Sequence, residues 1–225
     1  MSLDFVEYQD KMLKCLELQD AINKRINKKW AKERTESDFY RAIWLETAEL
    51  MEELPWKWWE RTETDYDNLQ IEVVDIFHFL LSLILLKEYK WEKHESFRNY
   101  KNIIFPLFYL GLENSNKLNT NKLIIRVETI AKQSLSGNDT GLLLTFAEVV
   151  NTAFENFNQM YLLYIGKNML NHIRQEYGYN TGTYKKVING LEDNKYLTQI
   201  IKQVRDENEL RETIRKAFDE LQTNI

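Results

Sequence analysis

Apolar residues recur at helical spacing along most of this chain. Between residues 3 and 29, Leu3, Met12, Leu13, Leu16, Ile22 and Ile26 keep that spacing, and "RTESD" (34–38) ends the element or lies just after it. "FYRAIWLETAELMEEL" (39–54) predicts a helix of strong helix formers stopped at Pro55. "PWKWWERTETDYDN" (55–68) reads as a connection, and the next helix runs from 69 to about 89. The charged "KEYKWEKHESFRNYKN" (87–102) is expected to be exposed. Residues 101–136 read as weakly patterned helix, and "LSGNDTG" (135–141) as a loop. A long helical pattern covers 141–177, with a break expected near Gly166. "YGYNTGTYKKVINGLEDN" (177–194) reads as a polar, glycine-containing loop, and "NELRETIRKAFDELQ" (208–222) as a charged amphipathic helix. No alternating strand pattern stands out. The expectation is an all-α helical bundle in one domain spanning 1–225, with about 90–140 its least recognisable part.

Composition narrows the function classes. Two prolines and seven glycines in 225 residues agree with long helices, and an apolar fraction of 44% supports a sizeable core. The formal charge of −5 leaves no basic footprint for nucleic acid or for an anionic membrane. A single cysteine, Cys15, excludes an internal disulfide and fits a reducing compartment. No signal-peptide pattern opens the chain, and the apolar run 71–86 is short for a membrane span and carries carboxylates. A soluble, cytoplasmic protein is expected, with no nucleic-acid or membrane partner.

One apolar run raises a chemical question. "IEVVDIFHFLLSLILL" (71–86) carries Glu72 and Asp75, then His78 and Ser82, at spacings of three and four. On a helix these form one polar stripe along an otherwise buried element. Charged carboxylates are costly to bury unless paired or bound to metal. The preceding helix offers Glu46 and Glu49 in "ETAE", also three apart. Together the four carboxylates form a hard oxygen donor set without a cysteine or histidine cluster, which suits Mg²⁺ or Mn²⁺ and phosphate chemistry. The bland alternatives are a solvated face for "ETAE" and a buried ion pair with Lys or Arg for "EVVD". His78 reads as a hydrogen-bonded core histidine, and Ser82 as bonding back to its own helix.

A second stripe lies in "YIGKNMLNHIRQEYGY". Lys167, Asn171 and Arg174 fall at i, i+4 and i+7, and Lys185 and Lys186 follow in the loop. Alone, such a face is ordinarily just solvated. Opposite a carboxylate–metal cluster it would clamp phosphates.

"ExxE", 22 residues, then "ExxD" on consecutive helices resembles the all-α nucleoside triphosphate pyrophosphatase superfamily. "ETAELMEELPWKWW", "IEVVDIFHFLLSL" and "YIGKNMLNHIRQEYGYNTGTYKK" together are similar to the dimeric dUTPases, over roughly 12–86 and 140–200. This resemblance implies a magnesium-dependent homodimer hydrolysing dUTP, and often dUDP, to dUMP. It implies metal ligands at Glu46, Glu49, Glu72 and Asp75, with Glu46 also activating the attacking water, so that Glu46 and Glu49 count as catalytic. It implies phosphate contacts from Lys167, Asn171, Arg174, Tyr179, Lys186 and Asn194. For the deoxyuridine base it implies Gln19 and Asn23 of "LELQDAIN" and Trp59 of "WKWW", although at least one of Trp56, Trp58 and Trp59 is expected to be core packing. Two rivals stay open: a related pyrophosphatase acting on dCTP or another nucleotide, and a non-catalytic helical interaction module.

Overall fold

The computed structural model describes residues 4–91, 100–188, 190–204 and 206–223. It is 78% helical. The helices are α1 (Phe5–Ile26), α2 (Trp30–Glu33), α3 (Glu36–Glu52), α4 (Tyr66–Trp91), α5 (Lys101–Asn114), α6 (Thr120–Ser136), α7 (Asp139–Ala153), α8 (Phe157–Glu176), α9 (Asp193–Ile201) and α10 (Glu207–Thr223). A single 3₁₀ turn (Tyr179–Thr181) and a two-residue hairpin complete the described elements. In the hairpin, β1 (Val187–Ile188) pairs antiparallel with β2 (Leu191–Glu192), with Val187 opposite Glu192 and Ile188 opposite Leu191. All-α is therefore the fold class.

Capping chemistry sets several boundaries. Asp4 opens α1 by accepting the Val6 N–H at 3.2 Å. "RTESD" does not close the first helix. It starts α3, because Asp38 accepts both the Thr35 N–H (2.8 Å) and the Thr35 hydroxyl (2.9 Å). Asp65 accepts the N–H groups of Asp67 and Asn68, each at 3.2 Å, so α4 begins at Tyr66 rather than at 69. The pattern over 141–177 is two helices, and the break is not at Gly166. Phe154 is extended, and Asn156 caps α8 by accepting the Gln159 N–H at 3.0 Å. Gly166 continues α8 and serves packing instead: a Cβ there would lie 3.0 Å from Leu197 Cδ1 and 3.1 Å from Ile201 Cδ1. The segment 177–194 is likewise more ordered than a loop. Gly190 takes φ +80° at the hairpin turn, a conformation other residues adopt only with strain.

Helix α4 is the centre of the bundle, packing against α1, α3, α7, α8 and α9. By length and composition Tyr66–Lys90 qualifies as a membrane span, yet 72% of its most apolar window is buried inside the protein. Leu69, Ile71, Val73, Val74, Ile76, Phe77, Leu80, Leu81 and Leu83 enter one continuous core. Burial of such side chains, at about 25 cal/mol per Å² of apolar surface, drives the assembly.

The charged stretch 87–102 is not simply exposed, and its part at 92–99 lies outside the described residues. Lys87 is 7% exposed and Tyr100 is buried. Asp139, in the first turn of α7, accepts from Lys87 Nζ, from the Tyr40 hydroxyl and from the Tyr100 hydroxyl (2.7 Å). The Lys87 ammonium also lies over the Tyr40 and Tyr100 rings, 5.8 and 5.5 Å from their centroids. This knot ties α3, α4 and α7 at the end of α4 away from the acidic residues. Asp139→Ala should cost about 3 kcal/mol, since among the described residues it leaves the buried ammonium with the Glu36 carboxylate and the Tyr40 hydroxyl, each at 3.3 Å. Urea unfolding measures this as a lower midpoint at unchanged slope; a loss below about 1 kcal/mol would mean the charge is solvated after all.

Candidate functional site

Carboxylates from two helices meet where α3 packs on α4. One oxygen each from Glu46, Glu72 and Asp75 lies within 4.8 Å of the others, and all three residues are half-buried. Glu49, one turn along α3, is exposed and outside this group, but its charge reaches Glu46 and Glu72. Burial, then repulsion from Asp75, pushes the Glu72 carboxyl up to about 8. Glu46 is pushed up to about 7 for the same two reasons. Protons on Glu46 and Glu72 therefore relieve part of the repulsion near neutral pH. Three crowded, hard oxygen donors fit a divalent cation, which would replace those protons.

A lysine also compensates them. Lys167 of α8, 2% exposed, places Nζ 2.8 Å from Asp75 Oδ2 and donates to Asn194 Oδ1 at 2.9 Å. The buried ion pair weighed for "EVVD" thus exists, and its cation is the first residue of the expected phosphate stripe. Arg174 Nη2 donates to the same Asn194 oxygen at 3.1 Å, and Arg174 Nη1 to Asn171 Oδ1 at 3.3 Å. Arg174 also forms two parallel hydrogen bonds to Asp193, at 2.9 and 2.8 Å. Tyr179, on the 3₁₀ turn, lies under this guanidinium at 5.7 Å. Lys167, Asn171, Arg174, Tyr179 and Asn194 are thus gathered beside the carboxylates. Lys186 is turned aside, paired with Glu192 at 2.5 Å across the base of the hairpin.

A second polar cluster lies between α1 and α4. Gln19 Oε1 faces His78 Nδ1 at 2.6 Å and lies 3.3 Å from the Tyr164 hydroxyl, which donates to the Cys15 carbonyl at 2.8 Å. Gln19 Nε2 donates to Ser82 Oγ (2.9 Å) and Asn23 Oδ1 (3.1 Å), and Asn23 Nδ2 donates to Ser82 Oγ (3.0 Å). Ser82 Oγ in turn donates to the His78 carbonyl at 2.9 Å, the back-bond its position implied. Every polar hydrogen and the oxygen of the Gln19 amide are engaged. Burial holds His78 down to about 4, so the ring is neutral, and with its proton on Nδ1 toward Gln19 the buried Nε2 is an acceptor without a hydrogen-bond partner. Asn23 keeps one N–H to spare among the described residues.

The tryptophans of "WKWW" are not core. Trp56, Trp58 and Trp59 are 37%, 90% and 58% exposed, and Trp59 packs edge-on against the other two rings at 5.4 and 5.5 Å. They lie at the surface in the α3–α4 connection, residues 53–65. The residues that sequence reasoning passed over are Asp193, Tyr184 and Tyr164, together with a wider role for His78. No regular spacing links 193 to 174, so only an unexplained carboxylate in "LEDN" hinted at that pair.

Fold and site together define an all-α protein built round a half-buried carboxylate centre that faces a lysine and an arginine. The model of a family described as dUTPase matches residues 11–179, and the chain belongs to that family, the dimeric all-α dUTPases. Comparison with individual curated proteins gave no match. Membership supports dUTP hydrolysis in general terms and a nucleotide substrate, and the family generally uses a divalent metal.

The raised carboxyls have a consequence for stability. Without metal, the folded protein binds more protons at Glu46 and Glu72 than the unfolded chain does, between about 4.5 and about 8. Stability contributed there falls as pH rises through that window. Thermal unfolding in a chelator should therefore decline from about pH 5 to 8, and Glu72→Gln should flatten the decline and raise stability at pH 8. A divalent cation added at pH 7 should release protons, read by calorimetry in two buffers of different ionisation heat. A variant that falls as steeply as the parent would show that Glu72 is not held protonated.

Proposed function

We propose that this protein hydrolyses dUTP, and dUDP, to dUMP, releasing pyrophosphate or phosphate, with Mg²⁺ held by Glu46, Glu49, Glu72 and Asp75. The observation that carries the reading is the convergence of Glu46, Glu72 and Asp75 directly against Lys167, which Asn194 links to Arg174. A bound divalent ion supplies charge neutralisation and a water more acidic than bulk. Glu46 accepts the proton of the attacking water, since a carboxylate beside the ion can orient and deprotonate that water. Lys167 leaves Asp75 for the phosphate oxygens, and Arg174 supports the charge that grows on the leaving oxygens. Tyr179 backs the guanidinium, and Lys186 exchanges Glu192 for phosphate.

We assign the base to the α1–α4 polar cluster, next along α4 from Asp75; Trp59 is assigned to the base or sugar on the family resemblance alone. Among the described residues the cluster's unspent capacity is one donor, on Asn23, and one acceptor, the His78 Nε2, which is buried and meets a base only once the cluster opens. Uracil offers the complements, a carbonyl and an N3–H, whereas cytosine offers an acceptor at N3. Gln19 holds both partners in place. The second reading, dCTP as the substrate, would need that acceptor reversed. Cytoplasmic location belongs to the same proposal, as does a homodimer in solution. Val6, Leu13, Ile103 and Leu110 on α1 and α5, and Trp58, are exposed apolar surface that a second copy would cover.

Two measurements test this. With Mg²⁺, a nucleotide panel should give turnover of dUTP well above dCTP. Arg174→Ala should depress all accepted nucleotides about equally, by roughly 10²–10³. Asn23→Ala should instead erode the dUTP/dCTP ratio of kcat/KM, by an amount matching roughly 1–3 kcal/mol. An Arg174 variant that shifts the ratio while Asn23→Ala does not would reverse the two ends of the substrate. Light scattering should give twice the 27.1 kDa chain mass; a fully active monomer would remove the dimer.

A further inference from the structure

Asp193 is fully buried, far in sequence from every other acidic residue of the site, and belongs to no candidate metal group. We infer that it is the positioning residue of the phosphate end: its carboxylate holds the Arg174 guanidinium in a single orientation, leaving the Nη1 edge to meet phosphate. The inference rests on the nucleotide-hydrolysis reading above.

The geometry is that of a fork on a fork. Asp193 Oδ2 accepts from Arg174 Nε at 2.9 Å, and Oδ1 from Nη2 at 2.8 Å. Tyr184 donates its hydroxyl to Oδ2 at 2.9 Å, which fixes the carboxylate plane. The Asp193 backbone N–H donates to the Lys186 carbonyl at 2.9 Å, so the hairpin base locates the whole residue. Arg174 Nε and Nη2 are thereby consumed. Nη1 carries only the long 3.3 Å bond to Asn171. The second Nη2 hydrogen reaches Asn194, whose oxygen also holds Lys167. Tyr184, Asp193, Arg174, Asn194, Lys167 and Asp75 thus form one chain of contacts from the hairpin to the carboxylate cluster. An arginine on a flexible stem would lose much rotamer freedom on meeting phosphate; here that loss is met during folding. A merely structural pair would pin α9 to α8 without affecting what Arg174 does to phosphate.

The experiment compares the parent with Asp193→Asn, Tyr184→Phe, Arg174→Ala and the Asp193→Asn/Arg174→Ala double variant. Asparagine keeps the shape but turns an amide donor toward the guanidinium, so Arg174 must move. Asp193→Asn should lower kcat/KM for dUTP by about 10–100-fold and weaken Mg²⁺–pyrophosphate binding, measured by calorimetry well below the unfolding temperature. The double variant should match Arg174→Ala within about twofold, because Asp193 acts only through Arg174. Multiplying losses, or an Asp193→Asn protein that melts earlier but binds pyrophosphate and turns over dUTP like the parent, would overturn the inference. Should Asp193→Asn not fold, Tyr184→Phe decides: a several-fold loss in pyrophosphate affinity supports positioning, and none refutes it. The pyrophosphate arm needs no turnover. A parent that ignores dUTP yet binds pyrophosphate through Arg174 and Asp193 would sink the substrate reading and leave this one standing.

Discussion

Acidic groups cannot share a water-poor space without compensation, and the space between α3 and α4 holds three. Each would be ionised in water, and each is pressed against the others on apolar helices. Protons on Glu46 and Glu72 and the buried Lys167 ammonium against Asp75 provide that compensation together. A divalent cation would supply it more completely. The rest of the site follows from this requirement. Lys167 must come from a helix packed directly on α4, and α8 is that helix. Once α8 is there, Arg174, two turns on, reaches the hairpin and Asp193.

The same central helix separates two chemistries. Asp75 and His78 are three residues apart, yet one belongs to a charged cluster and the other to a neutral network. The neutral side depends on a fixed tautomer. The Tyr164 hydroxyl and the His78 ring both address the Gln19 oxygen, which directs its amide toward Ser82 and Asn23. A polar network of this kind is specific because its Gln19 amide is fully paired in this one arrangement. The capacity it leaves over is one donor on Asn23 and one buried acceptor on His78.

Much of this was legible in the residues themselves. The all-α class follows from apolar spacing and the scarcity of Gly and Pro. The three carboxylates of the cluster were identifiable because burying acid in "IEVVDIFHFLLSL" demands a reason, and i, i+3 spacing determines which face each one shares. Helical spacing likewise put Lys167, Asn171 and Arg174 on one face, and the resemblance added Tyr179, Lys186 and Asn194; the fold gathers all of these but Lys186, which pairs with Glu192. Helix ends were less legible. Asp38, Asp65 and Asn156 act as caps, and capping depends on which backbone N–H a short side chain finds, not on a periodic pattern.

Sequence alone determined the all-α class and which polar residues share a helix face, since helical spacing is a local property. Tertiary structure alone decided partners. Lys167 on Asp75, Asp193 under Arg174, and Gln19 on His78 all join residues far apart in the chain. So does the Asp139 knot that buries Lys87 in a stretch whose composition suggested exposure. Distance along a chain carries no information about which buried charge will meet which; that is chosen by the packing of helices, where an unpaired charge is too costly to remain.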